Sequence, residues 1–173
     1  MKIETTILKN LLQNEDYARK VLPFLNDEYF TENSDKIIYN QINNFILKYN
    51  SLPNKEALNI ELSEAKITEE DFKESINLIN EIGKDDQEFS DPSWLLDSTE
   101  KFCQDKAIYN AVVESISILD NPKSTTDKGA IPDILSDALA VSFDPHVGHD
   151  YIDDSSDRFD YYHRIEERIP FDL

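Results

Sequence analysis

Glycine and cysteine are scarce in this sequence, which has three glycines and one cysteine among 173 residues. So few glycines disfavour sheet-rich folds with many tight turns. They also exclude a phosphate-binding loop of the form Gly-x-x-x-x-Gly-Lys-Ser/Thr. The one Gly-Lys pair, Gly83–Lys84, has Leu78 at the first glycine position and Asp85 after the lysine. The single Cys103 cannot form an internal disulfide, which excludes a disulfide-stapled secreted fold. We expect it to be a small buried side chain.

Basic residues and long apolar runs are lacking as well. Lys and Arg together number 17 against 36 Asp and Glu, a formal net charge of −19. A protein that grips DNA or RNA by its phosphates needs clustered Lys and Arg, so that function is excluded for this chain. No apolar stretch approaches the roughly 18–20 residues of a membrane span. The N-terminal Lys2–Glu4 lacks the basic and then apolar order of a signal peptide. The sequence therefore predicts a cytoplasmic protein with no membrane partner.

Helical periodicity dominates what is present, and hydrophobic residues, at 39%, suffice for a core. Apolar residues recur at helical spacing through the first half of the chain and predict a helical bundle over residues 1–83. Asn14 is placed to cap a helix, and Thr68–Asp71 resembles a capping box with Asp71 in place of Glu. Gly83 stands where a left-handed C-terminal residue is expected. The predicted apolar stripes consist of Ile3, Ile7, Leu8, Leu11, Leu12, Tyr17, Val21, Phe24, Leu25, Ile38, Ile42, Phe45, Ile46, Tyr49, Ala57, Leu58, Leu62, Phe72, Ile76, Ile79 and Ile82.

A longer helix follows a polar break and is predicted from Asp91 or Ser93 to about Leu119. Its apolar residues repeat every seven positions, at Leu95, Phe102, Tyr109 and Ile116. A strict seven-residue repeat favours a narrow seam against another helix over a broad face against a globule. Residues 91–128 are therefore predicted to form a long helix and loop, one arm of a projecting helical hairpin.

The second arm is predicted within residues 129–143, because Pro132 is well suited to a first helical turn. Its short apolar stripe consists of Ile134, Leu135, Ala138 and Leu139. The sequence as a whole thus predicts an all-α protein, in which a bundle carries a hairpin and a linker helix, followed by an extended acidic tail.

The predicted tail, residues 144–173, is too polar to fold alone, with nine acidic and three basic residues. It contains His146, His149 and Asp150, whose imidazole and carboxylate groups are ligands of transition metals. A metal-dependent enzyme centred on them is one hypothesis. Pro145 and Gly148 are typical of a turn without the rigid surroundings that orient metal ligands, so we favour a turn and no metal. Serine or cysteine triads lack support, because all three histidines lie in this tail.

Several short motifs lie after residue 128, and they are Gly129–Ile134, Ala138–Leu139, Ser142–Asp144, Val147–Asp150 and Asp153–Asp154. Together they resemble the linker region of the replicative DNA helicases of T-even-type bacteriophages. These ring-shaped hexamers are related to the bacterial DnaB helicases. The terminal Ile169–Phe171 resembles the start of the family's ATPase domain. Weaker similarities, which include Leu52–Pro53 and Ser93–Leu95, keep the family's order over most of the chain.

This resemblance implies a bundle and hairpin that form a collar on the hexameric ring and contact the primase. It further implies that the linker helix docks on the neighbouring subunit's motor domain through Ile134, Leu135, Ala138 and Leu139. Hairpin packing would then use Leu95, Phe102, Tyr109 and Ile116. Single-stranded DNA would be contacted only through the full-length ring, and ATP and Mg²⁺ would be bound by the motor.

The sequence departs from the family because it reaches Leu173 without any of the ATP-binding, magnesium-binding or arginine-finger residues. No catalytic residue and no cofactor can therefore be assigned to this chain. We expect an engineered piece, a fragment or the product of a split gene that serves in assembly and does not hydrolyse ATP by itself. An alternative is an acidic inhibitor that mimics DNA, since dense carboxylates can occupy a basic surface. The ordered seven-residue repeat argues against it.

Overall fold

The computed structural model describes residues 2–83, 91–120 and 126–143 of the chain, and these residues form helices and no strand. The all-α prediction is confirmed. Single 3₁₀ turns at Leu22–Phe24, Asp27–Tyr29 and Lys128–Ala130 join some of the α-helices. The described α-helices are α1 (Ile3–Gln13), α2 (Glu15–Val21), α3 (Asn33–Tyr49), α4 (Lys55–Glu64), α5 (Glu69–Ile82), α6 (Pro92–Asp120) and α7 (Ile131–Leu139).

Side-chain caps define where several of these helices begin. Asn14 Oδ1 accepts a hydrogen bond from the backbone N–H of Tyr17 at 3.0 Å, which starts α2. Thr68 Oγ1 accepts from the backbone N–H of Asp71 at 3.1 Å and donates to the Asp71 carboxylate at 2.7 Å. The predicted caps at Asn14 and Thr68 are confirmed. Each such cap stabilises its helix by about 1 kcal/mol.

Gly83 ends α5 in a conformation that differs from the prediction. Its φ is −82° and its ψ is 6°, so it is not left-handed. The glycine is required by close approach instead, because a Cβ at this position would lie 2.9 Å from the Ile79 carbonyl oxygen and 3.2 Å from Lys55 Cδ. The left-handed C-terminal residue is found at Asn50, which ends α3 with a φ of 50°.

The main core lies where α1, α3, α4 and α5 meet, and the first half of α6 belongs to it. Leu95 and Phe102 of α6 are only 3% and 7% exposed and are part of the same apolar cluster as the bundle helices. Cys103 is fully buried there, which agrees with the expectation for this residue. The fully buried members from the other helices are Ile7, Leu8, Leu11, Ala18, Val21, Ile38, Ile42, Leu58, Leu62, Ile79 and Ile82.

A second, smaller cluster joins the second half of α6 to α7. It is built on Ala107, Ala111 and Ala138, with Ile134 and Leu135 packed against it. The two helices therefore pack against each other, through α6 residues other than those predicted for hairpin packing. Within the described part of the chain, no helix combines the length and the apolar character that a membrane crossing requires.

Candidate self-association surface on helix α6

The second half of α6 is apolar on two sides, and α7 covers one of them. The covered side carries Ala107, Ala111 and Ser115, which are buried and four residues apart. Small side chains at this spacing form a flat strip along the helix and allow a second helix to approach closely. The buried hydroxyl of Ser115 donates to the Ala111 carbonyl oxygen at 2.7 Å, so it is not left unpaired.

The other side of α6 exposes large apolar side chains. Tyr109 is 66% exposed and Ile116 is 52% exposed, and their neighbours on this face are exposed to similar degrees. Pairs of these residues lie seven positions apart, which is the spacing of a two-helix seam. Monomeric proteins rarely expose a contiguous apolar patch of this kind unless it binds something. We call this surface the α6 seam, and it consists of Tyr109, Val112, Val113, Ile116 and Leu119.

The electrostatic surroundings of the α6 seam are sparse and of one sign. Between Ala107 and Asp120 the only charged side chains are Glu114 and Asp120, and both are acidic. No Lys or Arg in this part of α6 can form an ion pair across a contact between two copies. A contact through this face would therefore depend on apolar burial, with acidic groups that repel one another at its edge.

The four residues predicted for hairpin packing are divided between two environments. Leu95 and Phe102 lie in the bundle core, whereas Tyr109 and Ile116 point away from α7. Tyr109 and Ile116 are exposed and are not part of the α6–α7 cluster, so the hairpin packing expected of them is not made with α7 in this chain. An exact seven-residue repeat drifts by only about 20° per heptad around a straight helix, or about 60° over these four residues, so drift alone does not separate them. They are separated because the bundle core takes in Leu95 and Phe102, whereas the second half of α6 is covered by α7 on the side of its alanines. The missed signal is the four-residue spacing of small residues that begins at Ala107.

The linker-helix residues are mostly covered within the chain itself. Ala138 is buried against α6, and Ile134 and Leu135 are half-buried in the same cluster. Leu139 alone among the four is well exposed, at 72%. A face predicted to dock on a neighbouring subunit is thus largely occupied by contacts with α6.

Polar groups on α6 also hold the residues that follow α7. Glu100 Oε1 accepts hydrogen bonds from the backbone N–H of Phe143 and from the Ser142 hydroxyl, both at 3.0 Å. Gln104 Nε2 donates to the Val141 carbonyl oxygen at 3.0 Å. We call Glu100 and Gln104 the α6 clamp. The Phe143 ring stacks on Phe24, with 4.8 Å between centroids, so residues 141–143 are fixed from two directions.

The metal-ligand candidates His146, His149 and Asp150 lie outside the described residues. Among the residues that the structure does describe, no three His, Cys, Asp or Glu side chains are grouped so that they could hold a metal ion.

Comparison with known proteins finds one relevant similarity. No protein-family model matches the chain. The DnaB-like replicative helicase of Enterobacteria phage T4 is 35% identical to it over 175 residues, which cover 96% of this chain. The chain spans 36% of the length of that helicase and matches its N-terminal part. The resemblance to this kind of helicase is confirmed.

Proposed function

We propose that this chain is the N-terminal assembly module of a phage replicative DNA helicase and that it self-associates through the α6 seam toward a ring. The observation that carries the proposal is the apolar face of α6, which stays exposed although α7 packs on the same helix. The similarity to a DnaB-like replicative helicase supports the proposal, because an exposed apolar face would serve for contacts between subunits.

The expected strength of this self-association is low. The seam extends over eleven residues, or about 16 Å of helix. Complete burial of a Val, Leu or Ile side chain contributes about 1.5–3 kcal/mol relative to full exposure, and the seam residues are already partly covered. Much of that gain is offset by the translational and rotational freedom lost on association. The module alone should therefore be mostly monomeric when dilute, and stable rings would need further contacts.

The remaining roles belong to the same proposal and rest on the resemblance. We infer that the module contacts a primase, and that ATP and Mg²⁺ are used by a motor domain that this sequence does not contain. The exposed Leu139 side chain is a remaining apolar contact that α7 could offer to such a motor domain. Single-stranded DNA would be held by the complete ring, since the net charge of −19 opposes direct binding by this part.

Sedimentation velocity over a wide range of protein concentration tests the self-association. The variant Ile116→Gln places a polar side chain in the centre of the seam and should weaken association by about tenfold, equivalent to about 1.4 kcal/mol. Ile60→Gln is a matched control, because Ile60 is 59% exposed on α4, outside the seam. The proposal fails if the wild-type chain stays monomeric at the highest concentration, or if both variants associate equally well.

A further inference from the structure

A polar cleft of about 690 Å³ lies on the bundle, where the first turns of α1 and α3 face the middle of α5. Its volume is within the range of ligand sites, which is about 300–1,000 Å³. Four of its side chains are carboxylates, and none of its residues belongs to the α6 seam. The side chains that carry its polar character are Thr5, Glu32, Asp35, Glu74, Asn77 and Glu81.

Asp35 is the unusual member of this cleft, because it is only 5% exposed and still lines the opening. Throughout the described residues, no hydrogen bond and no ion pair reaches its carboxylate. Buried carboxylates are nearly always paired or hydrogen-bonded, since an isolated charge is costly to desolvate. The Asp35 carboxylate therefore has no protein partner within the described part of the chain, and its oxygen atoms are reached from the cleft and are not sealed in the core.

The single basic side chain that lines the cleft, Lys2, pairs with another lining residue of the cleft and not with Asp35. Lys2 Nζ lies 3.3 Å from Glu32 Oε1, and both of these side chains are exposed. Burial raises the pKa of Asp35, and the nearby Glu4 and Glu32 carboxylates raise it further, while Lys2 lowers it. Negative charge thus surrounds Asp35 on the α1 and α3 sides, and Glu74 and Glu81 add to it from α5.

We propose that this cleft binds a cationic side chain, a guanidinium or ammonium group, from a partner protein, and that Asp35 is its main contact. The carboxylate is an acceptor for two parallel N–H groups, which a guanidinium supplies in one plane. A metal ion is the weaker choice, because no three acidic or histidine ligands converge among the described residues. The surrounding Glu32, Glu74 and Glu81 attract a basic partner to the same place.

This proposal is independent of the proposed self-association, because the cleft and the α6 seam share no residue. A partner that carries one Arg or Lys on a projecting loop or helix end would fit the cleft. Asp35 in the unbound chain then keeps a binding group in place at some expense of folding stability. An acidic residue with a purely structural role would instead stabilise the fold, so its substitution would lower the folding stability.

Titration of the full chain with n-propylguanidinium chloride, followed by amide NMR at Ser34 and Asp35 with the ionic strength held constant by NaCl, tests the proposal. The wild-type chain should show saturable shifts at these amides. The variant Asp35→Asn should bind at least about tenfold more weakly. Asp97→Asn removes the same charge from the exposed face of α6 and should bind as the wild type does.

Thermal unfolding of the same variants checks that folding is not the cause. Asp35→Asn should unfold at the same temperature as the wild type or higher, because it removes an unpaired buried charge. Equal affinity of Asp35→Asn and wild type, or a wild-type response no different from that to NaCl, would overturn the proposal. Tighter binding of MgCl₂ than of propylguanidinium would overturn it too, and would identify a metal site.

Discussion

Tyr17 donates a buried hydrogen bond to Thr99, with 2.8 Å between the phenolic oxygen and Thr99 Oγ1. The direction follows from a second contact, because Thr99 Oγ1 donates its one proton to the Leu95 carbonyl oxygen at 2.7 Å. The pair connects α2 to α6 across 82 positions of sequence. It is therefore a polar link between the bundle and the helix that carries the α6 seam.

Removal of the acceptor, Thr99, should destabilise the fold more than removal of the donor, Tyr17. Thr99→Val keeps the side-chain shape but leaves the Tyr17 hydroxyl without an acceptor, so the free energy of unfolding should fall by about 1–3 kcal/mol. Tyr17→Phe removes the donor, while Thr99 keeps its bond to Leu95, and should cost about 1 kcal/mol. Urea denaturation of both variants measures the difference. Equal losses would contradict the assigned direction.

High pH should weaken the fold, because burial raises the pKa of several native-state groups. Burial raises the pKa of Tyr39 and of Cys103 each to about 12, and it raises the pKa of Tyr17 as well. Each group keeps its proton when folded and loses it at its ordinary pKa when unfolded. Their contribution to stability is thus complete below about pH 8 and declines as the pH rises through the range between the unfolded and folded pKa values, with Cys103 first.

Tyr39 provides the test of this pH dependence. Its share of the loss should be about 1.4 kcal/mol by about pH 11, from a pKa that differs by about two units between the folded and unfolded chain. Tyr39→Phe removes the hydroxyl that donates to the Leu25 carbonyl oxygen at 2.8 Å, so it should be less stable at neutral pH. Its stability should nevertheless fall less steeply above pH 9. Parallel curves for the variant and the wild type would contradict the expectation.

The α6 clamp should control the local stability of residues 141–143. Glu100→Ala removes the acceptor for the Phe143 N–H and the Ser142 hydroxyl, and hydrogen bonds to a charged group contribute about 1.5–3 kcal/mol. Hydrogen exchange at the Phe143 amide should become at least about tenfold faster. Glu114→Ala is the matched control, because Glu114 is an exposed acidic residue further along the same helix. Unchanged exchange in Glu100→Ala would show that the Phe24–Phe143 stack and Gln104 hold the segment without Glu100.

Local features of this fold could be predicted from the sequence, and contacts between helices could not. The caps at Asn14 and Thr68 were predictable because each depends on a side chain and a backbone N–H three residues away. The choice between the two apolar sides of α6 depends on where α7 packs. The alanines at 107 and 111 admit a close helix, whereas Tyr109 on the other side would hold it further away. Helical spacing shows that both sides of α6 are apolar, but it does not show that one side carries small residues and the other carries large ones.

The candidate sites likewise combine features that the sequence predicts with features that arise only from contacts between helices. The seven-residue repeat at Tyr109 and Ile116 predicted a seam against another helix, and in the described structure both residues are exposed. Asp35 gave no signal, because a lone acidic residue near the start of a helix is typical of an exposed first turn. Its burial arises only when α1 and α5 close over it, which is a property of the assembled bundle.

Salt should strengthen self-association of this chain. Two copies that meet along the α6 seam bring Glu114 and Asp120 of each near the same contact, and each whole chain carries a charge of −19. At an ionic strength of about 0.15 M the screening length is about 8 Å, and it shortens as salt is added, so repulsion falls while apolar burial persists. Sedimentation velocity in increasing NaCl should therefore show tighter association, and Ile116→Gln should remove the effect. Weaker association at high salt would indicate contacts between opposite charges and contradict an apolar seam. An acidic inhibitor that mimics DNA would differ in a further way, because its complex with a basic partner would dissociate as salt is added.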